Sequence, residues 1–257
     1  VMRHMLHGKN LALITTRQTR DKWDAFAARL IIGHKSLAAY DINNLFPLYL
    51  YDDSAKQADK GRRPNLSPEF VSAFSQKLRL KFVEDGRGDL KKTFGPEDVF
   101  DYIYAVFHSP TYRSRYAEFL KIDFPRVPLT SNVELFRKLV KLGGKLVKLH
   151  LLEDETLETS AVKYPVGGEH IIEKVRYVDI QRQVWINKKQ YFEGVPHEVW
   201  EFHIGGYQVA QKWLKDRKGR TLSSDDREHY RKIIAALAGT IRLMQEIDKV
   251  IPKWPIE

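Results

Sequence analysis

The sequence contains no cysteine among its 257 residues. Disulfide bonds and thiolate metal sites are therefore excluded, and a reducing cytoplasm is the expected location. No apolar run approaches the roughly 20 residues that a membrane-spanning helix needs. The opening segment, VMRHMLHGKN, also lacks the long apolar core of a signal peptide. The sequence thus gives no indication of secretion or of a membrane.

Common catalytic motifs are missing as well. The chain has nine histidines, yet it contains no HExxH zinc motif, no phosphate-binding GxxxxGK(S/T) loop and no GxSxG nucleophile elbow. His108 ends an aromatic-rich segment, where a capping or core histidine is expected far more often than a general base. A metal-dependent nuclease needs acidic residues beside a Glu-x-Lys pair, and Asp85, Asp89 and Lys91 are the nearest approach. We expect no catalytic site in this chain taken alone.

Positive charge, by contrast, is abundant. The chain has 43 Lys and Arg against 33 Asp and Glu, a formal net charge of +10 and a pI near 9.5. This charge favours polyanions, of which nucleic acid is the commonest in a cytoplasm. Residues 101–150 carry nine basic and four acidic residues, whereas residues 151–200 carry six and nine. Basicity is therefore patchy rather than a uniform solubilising coat.

Strand-like patterns occur in the N-terminal part of the chain. Residues 10–17 predict a short buried strand, and residues 26–32 fit either a strand or a helix. The segment NNLFPLYLY at 43–51 predicts another strand, which Pro47 places at a sheet edge or a bulge. Polar loops separate these segments from a series of predicted helices.

Helix-start signals follow at four points. Ser67-Pro68 and Ser109-Pro110 each combine a capping residue with a proline at the first helical position, and Pro96 begins a further helix. Ser131 and Glu134 form a capping box, and we expect Gly143-Gly144 to terminate the helix that it begins.

The pattern changes after Gly144. From about residue 145 to 204, segments rich in Val, Ile, Tyr and Trp alternate with period two, which predicts an antiparallel β meander or small barrel. One helix is predicted after Gly205-Gly206, and a longer one from Ser224 to about Asp248. We predict an α+β fold of two parts that form one unit. Residues 1–144 are a mixed α/β part with a helical hairpin, and residues 145–257 are a β-rich part closed by C-terminal helices.

Three blocks carry a family resemblance. They are YIYAVFHSPTYRSRYAEFLKIDFPRVP at 102–128, EFHIGGYQVAQKWLKDRKGRTLSSDDREHYRKII at 201–234 and NNLFPLYLY at 43–51. Their order resembles the C-terminal specificity region of Type ISP restriction–modification enzymes and of related adenine methyltransferase–nuclease fusions. The Tyr, Pro and Gly positions in these blocks predict rigid turns and aromatic packing rather than chemistry.

The resemblance implies a module that binds double-stranded DNA and selects the site for adenine N6 methylation and, if unmethylated, cleavage. It places the methyltransferase, translocase and nuclease domains in preceding parts of the same polypeptide. S-adenosylmethionine, ATP and Mg²⁺ are then expected only in those domains. Consistently, this chain has neither an Asn/Asp-Pro-Pro-aromatic loop nor a glycine-rich turn for a methyl donor. Its start at Val1 fits a segment of something longer, and equally a trimmed terminus.

Residues that suit DNA contact are concentrated in the predicted meander. Guanidinium and amide groups pair bidentately with purines, and lysines contact phosphates. A further basic patch is the Lys60–Arg63 loop. Our candidate DNA-binding residues are Arg62, Arg63, Lys163, Arg176, Gln181, Arg182, Gln183, Lys188 and Lys189. For each of them, the solvated face of a half-buried strand is the competing interpretation.

Two other functions remain open from the sequence. One is a self-contained metal-dependent nuclease, or another nucleic-acid-modifying enzyme, with a site around Asp85, Asp89 and Lys91. The other is a protein-interaction scaffold whose basicity is incidental.

Overall fold

The computed structural model describes residues 1–6, 10–20, 22–38, 41–52 and 61–257. They form two compact units. Unit 1 comprises Val1–Leu151 and Leu243–Glu257, and unit 2 comprises Leu152–Arg242. Both contain helices and short strands, so the predicted α+β class is confirmed. Among the described residues, no helix has the length and apolarity needed to cross a membrane.

Unit 1 begins with a 3-10 helix at Met2–Met5 and continues with short strands. These are β1 (Ala12–Thr16), β2 (Ala25–Ala28), β3 (Asn43–Pro47), β4 (Tyr49–Tyr51), β5 (Arg62–Pro64), β6 (Lys81–Phe82) and β7 (Thr93–Phe94). Strand β1 lies between β2 and β3 and is antiparallel to both. The ambiguous segment 26–32 thus contributes to a strand, and Pro47 lies on an edge strand, as predicted.

The helices of unit 1 begin largely where the sequence predicts. They are α1 (Pro68–Leu78), α2 (Pro96–Phe107), α3 (Pro110–Arg115), α4 (Ala117–Leu120) and α5 (Val133–His150). Ser67 Oγ accepts a hydrogen bond from Phe70 N, and Ser109 Oγ accepts one from Tyr112 N, so both caps are confirmed. Fully buried aromatic rings join α1, α2, α5 and β7. They are Phe74, Phe94, Tyr102 and Phe136.

Helix α5 differs from its prediction at both ends. Its N-cap is Asn132, whose side chain accepts from Leu135 N, rather than Ser131. The helix also continues through Gly143-Gly144 to His150. A Cβ on Gly143 would lie 1.8 Å from the carbonyl oxygen of Asp101 on α2, so the glycine permits close helix packing. The prediction that the glycines end this helix is wrong, and residues 145–150 are helical rather than the start of the meander.

Unit 2 contains the predicted meander in a shorter form. Its elements are β8 (Arg176–Val178), β9 (Gln183–Trp185), β10 (Tyr191–Glu193), α6 (His197–Trp200), β11 (His203–Ile204), β12 (Tyr207–Gln208), α7 (Val209–Lys215) and α8 (Ser224–Val250), whose last residues belong to unit 1. Strands β8, β9 and β10 form an antiparallel sheet with β9 in the middle. The sheets of the described residues form no closed barrel, so the meander alternative is the correct one.

One face of this sheet covers the core of unit 2. Val184 and Phe192 are completely buried, and Phe192 packs against Tyr230 of α8 with ring centroids 4.5 Å apart. Tyr177 of β8 packs on the same cluster. Because successive residues of a strand face opposite sides, the intervening side chains face away from this core. The fold therefore leaves the other face of this small sheet outside the core.

Candidate nucleic-acid interface

The outer face of the meander carries two rows of side chains, which we call the sheet surface. Strand pairing places Arg176 beside Trp185, and Trp185 beside Tyr191. The second row is Val178, Gln183 and Glu193. Two of the predicted DNA-binding residues, Arg176 and Gln183, thus lie on one surface.

Packing holds the side chains of the first row in place. The rings of Trp185 and Tyr191 have centroids 4.5 Å apart, and the Arg176 guanidinium lies 5.6 Å from the Trp185 ring centroid. A guanidinium over an aromatic face keeps its N–H groups available to a ligand. In the second row, Gln183 Nε2 donates to Glu193 Oε1 at 3.3 Å. Of these side chains, Arg176 is exposed to solvent and is supported by the Trp185 ring.

The two turns of the meander lie at opposite ends of the sheet. Residues 179–182 connect β8 to β9, and this turn carries the exposed Gln181 and Arg182. The connection from β9 to β10 carries the exposed Lys188 and Lys189. The structure thus brings Gln181 and Arg182 to the end of the sheet where Gln183 lies, and places both lysines at the other end.

Lys163 lies at the edge of the sheet, where its backbone pairs with Glu193 of β10. It lines an open pocket of about 510 Å³ together with Tyr164, His170, Arg227 and Arg231. The arginines are fixed by backbone carbonyls: Arg227 donates to Leu222 and Arg231 to Val162.

Charge in this pocket is mainly positive. Burial, with a further contribution from Arg227, lowers the pKa of His170 below its ordinary value, which favours the neutral ring near neutral pH. Glu228 is the pocket's one acidic side chain and pairs with Arg231 at 2.8 Å. Lys163 and the two arginines outweigh it, so the pocket suits an anion such as a phosphate group.

The predicted basic loop of unit 1 is only partly described, since Lys60 lies outside the described residues. Arg62 and Arg63 belong to β5, which pairs with β4. The Arg62 guanidinium lies 4.1 Å from the Tyr49 ring centroid and bonds to Asp85 at 2.5 Å. Arg63 is exposed. Arg62 therefore has a structural role within unit 1, whereas Arg63 is the accessible cation of the pair.

Our sequence prediction missed a row of four lysines on α5. Lys138, Lys141, Lys145 and Lys148 are spaced three, four and three residues apart, so they share one helical face, and all are exposed. None forms an ion pair with any described residue. We call this set the lysine row. The helical spacing was visible in the sequence, but the expected break at Gly143-Gly144 divided it between a helix and a strand.

The block at 102–128 is architectural. Tyr102 donates to the carbonyl of Pro128, and Tyr112 donates to that of Arg126. Arg113 forms an internal ion pair with Asp24 at 2.6 Å. His108 is 2% exposed at the end of α2, which confirms a core, capping histidine.

The residues of the nuclease alternative have structural partners. Asp85 is bonded to Arg62. The Asp89 carboxylate accepts hydrogen bonds from the backbone of Lys92, Thr93 and Lys91, which hold its pKa well below the ordinary range. In the part of the chain that the structure describes, no three His, Asp or Glu side chains are grouped to bind a metal. No feature of the structure favours a nuclease site there.

Solved structures share this fold. LlaBIII, an ATP-dependent Type ISP restriction-modification enzyme bound to DNA, is 16% identical with a TM-score of 0.71 over 96% of this chain. A nuclease-deletion mutant of the Type ISP enzyme LlaGI with a DNA substrate mimic is 17% identical, with a TM-score of 0.66 over 96%. DrdV in a DNA complex is 19% identical, with a TM-score of 0.69 over 97%. This chain spans 16%, 18% and 25% of those chains, respectively.

A comparison with curated proteins finds no match. The model of one protein family, the Type ISP C-terminal specificity domain, matches residues 1–246. This match covers both units and confirms the resemblance found in the three sequence blocks. The chain belongs to the family of Type ISP C-terminal specificity domains.

Proposed function

We propose that this chain recognises a specific sequence in duplex DNA for a restriction–modification enzyme. The family match over residues 1–246 carries the proposal. Adenine N6 methylation and cleavage belong to methyltransferase, translocase and nuclease domains of a longer cytoplasmic polypeptide. S-adenosylmethionine, ATP and Mg²⁺ are bound by those domains. Residues 1–144 and 145–257 serve as one recognition unit.

Base recognition is assigned to unit 2. Arginine pairs bidentately with guanine and glutamine with adenine, and both need exposed side chains on a supported backbone. Arg176 on the sheet surface and Gln181 and Arg182 in the adjoining turn meet these conditions. Gln183 contributes beside them, although Glu193 holds one of its donors.

Phosphate binding is assigned to exposed cations outside that group. Phosphate contacts fix the position of a protein on DNA without reading the sequence. Lys163 with its pocket, Arg63, Lys188 and Lys189 are candidates, and the lysine row adds four cations on one rigid helix. Unbalanced like charges at this spacing destabilise a helix slightly, so a polyanionic partner explains the row better than stability does.

Selection from a random library tests the proposal. The chain is mixed with duplexes that contain a randomised central segment, and the bound fraction is sequenced. We expect enrichment of one short sequence. If no sequence is enriched over repeated rounds, at low salt as well as at moderate salt, the proposal is wrong.

Single variants then test the assignment of base contacts. Arg176→Ala or Arg182→Ala should relax preference at one base position and cost about 1–3 kcal/mol of binding to the selected duplex. Arg242→Ala removes an exposed arginine of α8 and serves as the matched control. If both test variants enrich the parental sequence with parental affinity, the base contacts lie elsewhere.

A further inference from the structure

Ile180 is 93% exposed, more than any other large hydrophobic residue among those described. It occupies a central position of the turn 179–182, which a hydrogen bond from Arg182 N to Asp179 O closes at 2.9 Å. Such positions favour Gly, Asn, Asp, Pro or Ser. An isoleucine here gains no burial, and the local sequence therefore departs from what folding alone would select.

The residues that join this turn to the sheet are held rigidly. Arg182 adopts the left-handed conformation, with a φ of 50°, and its carbonyl accepts hydrogen bonds from Gly194 N and Val195 N. Tyr177 donates to the carbonyl of Val195 and stacks on Trp200 with ring centroids 5.1 Å apart. These contacts hold the turn in one conformation, with Ile180 at its tip.

The Asp179 carboxylate has two polar partners at the point where this turn joins the sheet. It lies 3.2 Å from His197 Nδ1 and accepts a weaker hydrogen bond from the Tyr177 hydroxyl at 3.4 Å. The residues that follow Ile180 are Gln181 and Arg182, both exposed. The tip thus combines one apolar side chain with an amide and a guanidinium group.

This combination fits the major groove of DNA. The groove admits a two-stranded β ribbon, and the C5-methyl of thymine is the apolar group on its floor. A glutamine next to the apolar residue suits the N6/N7 edge of an adenine. We infer that Ile180 contacts a thymine methyl group in the major groove and makes the turn selective for an A·T pair. This inference rests on the proposed function.

A protein partner fits the tip less well. Stable protein interfaces bury about 800 Å² on each side around an apolar centre. The other central turn residue is the polar Gln181, so the tip offers a single apolar side chain. One isolated apolar contact matches a methyl group better than it matches a protein surface.

The test removes the methyl group from the DNA and the apolar group from the protein, separately and together. Each thymine of the selected duplex is replaced in turn by deoxyuridine, which lacks only the C5-methyl. We expect the 257-residue parent to lose about fourfold in affinity at one thymine, as expected for one buried methyl group. Ile180→Ser should bind the thymine duplex more weakly and respond to no replacement, whereas Ile180→Val should respond as the parent does.

Two controls complete the design. Ile122→Ser alters an isoleucine in unit 1 that is 64% exposed, and it should keep the parental response to every replacement. The thermal unfolding of Ile180→Ser should match that of the parent, because the side chain packs on nothing. A lower unfolding temperature would itself contradict the free, rigid tip that we infer.

The outcomes separate this inference from the proposed function. If the parent selects a sequence but responds to no deoxyuridine replacement, or Ile180→Ser keeps the parental response, the thymine contact is wrong and the proposed function stands. If the selected sequence contains no thymine, the thymine contact is likewise wrong and the proposed function stands. If the parent selects no sequence at all, the proposed function fails, and this inference fails with it.

Discussion

His108 is a single buried side chain in the core of unit 1 that makes the stability of the fold depend on pH. The ring lies at the end of α2, its Nδ1 is 2.7 Å from the carbonyl of Tyr104, and the Tyr104 and His150 rings pack on it. Burial, together with the nearby Arg113, lowers the pKa of His108 well below its ordinary value. The folded protein therefore holds this histidine in its neutral form.

The sign of the resulting pH dependence follows from that direction. In the unfolded chain the histidine takes up a proton below about pH 6.5, whereas in the folded chain it does not until the pH is much lower. Its contribution to stability is present above about pH 6.5 and is lost as the pH falls below that value. Asp101 acts in the opposite sense, because burial raises its pKa from 3.8 to about 6, so protonation favours the folded state.

We therefore expect His108→Gln to flatten the acid side of the stability profile. The free energy of unfolding of the variant should be lower by about 1–3 kcal/mol near neutral pH, since the substitution leaves buried polar groups without their hydrogen-bond partners. Its further loss of unfolding free energy between about pH 7.5 and pH 5.5 should be smaller than that of the parent. Urea unfolding at the two pH values measures both quantities. Equal losses in parent and variant would show that His108 does not titrate differently in the folded state.

At the scale of the element, the crossing of α2 and α5 depends on one glycine. A Cβ at Gly143 would meet the backbone carbonyl of Asp101 at 1.8 Å, whereas at Gly144 it would meet the side-chain Oδ2 of Asp101 at 2.8 Å. A backbone carbonyl in a helix moves only with the helix, whereas the Asp101 carboxylate, which Arg87 holds at 2.7 Å, is a side chain that can shift at a smaller cost. The two adjacent glycines therefore make a matched pair of substitutions.

Gly143→Ala should destabilise the protein by about 3 kcal/mol or more, the upper range for overpacking, because the helices must separate. Gly144→Ala should cost less, about 1–2 kcal/mol, since the helix propensity of alanine offsets only part of the strain on the ion pair of the buried Asp101 with Arg87. Chemical unfolding of both variants provides the comparison. A similar cost for both would mean that close packing at residue 143 does not set the helix crossing.

A second element-scale contact fixes the end of α8 within unit 1. The Asp248 carboxylate accepts hydrogen bonds from Ser109 Oγ, from Thr111 Oγ1 at 2.7 Å and from Thr111 N at 3.0 Å, all at the start of α3. Asp248→Ala should therefore cost about 2 kcal/mol, the scale of hydrogen bonds to a charged group. Glu246→Ala, an exposed position on the same helix, should cost less than about 0.5 kcal/mol. Equal unfolding midpoints for the two variants would contradict this role.

At the scale of the whole molecule, local sequence signals predicted the helices and strands better than they predicted which side chains are free on the surface. The caps at Ser67 and Ser109 and the long helix from Ser224 depend on neighbouring residues, so the sequence was sufficient to place them. The path of α5 through Gly143 depends on a carbonyl some 40 residues earlier in the chain, which no local pattern contains. The same long-range packing decides that Arg62 binds Asp85. All nine candidate DNA-binding residues, Arg62 included, stay predictions until binding is measured.

Charge is the property of the whole molecule that most directly tests DNA binding. Each phosphate contact that a cation makes steepens the dependence of log affinity on log salt by about 0.9. The lysine row extends from Lys138 to Lys148 of α5, which is ten steps of 1.5 Å, or about 15 Å. This length spans several phosphates of a duplex. If the lysine row lies along DNA, its removal should change the salt dependence of DNA affinity more than the removal of four other exposed lysines does.

We expect replacement of all four lysines of the row by glutamine to lower affinity for every duplex and to reduce the salt slope by about 2–4. The selected sequence should stay the same, because phosphate contacts carry no base information. The matched control replaces Lys77, Lys218, Lys232 and Lys249, which are exposed on α1, after α7 and on α8, and it removes the same total charge. Titrations of a labelled duplex at several salt concentrations measure both slopes. If the two variants lose affinity and slope equally, the lysine row acts only through net charge, and the phosphate contacts must come from other cations.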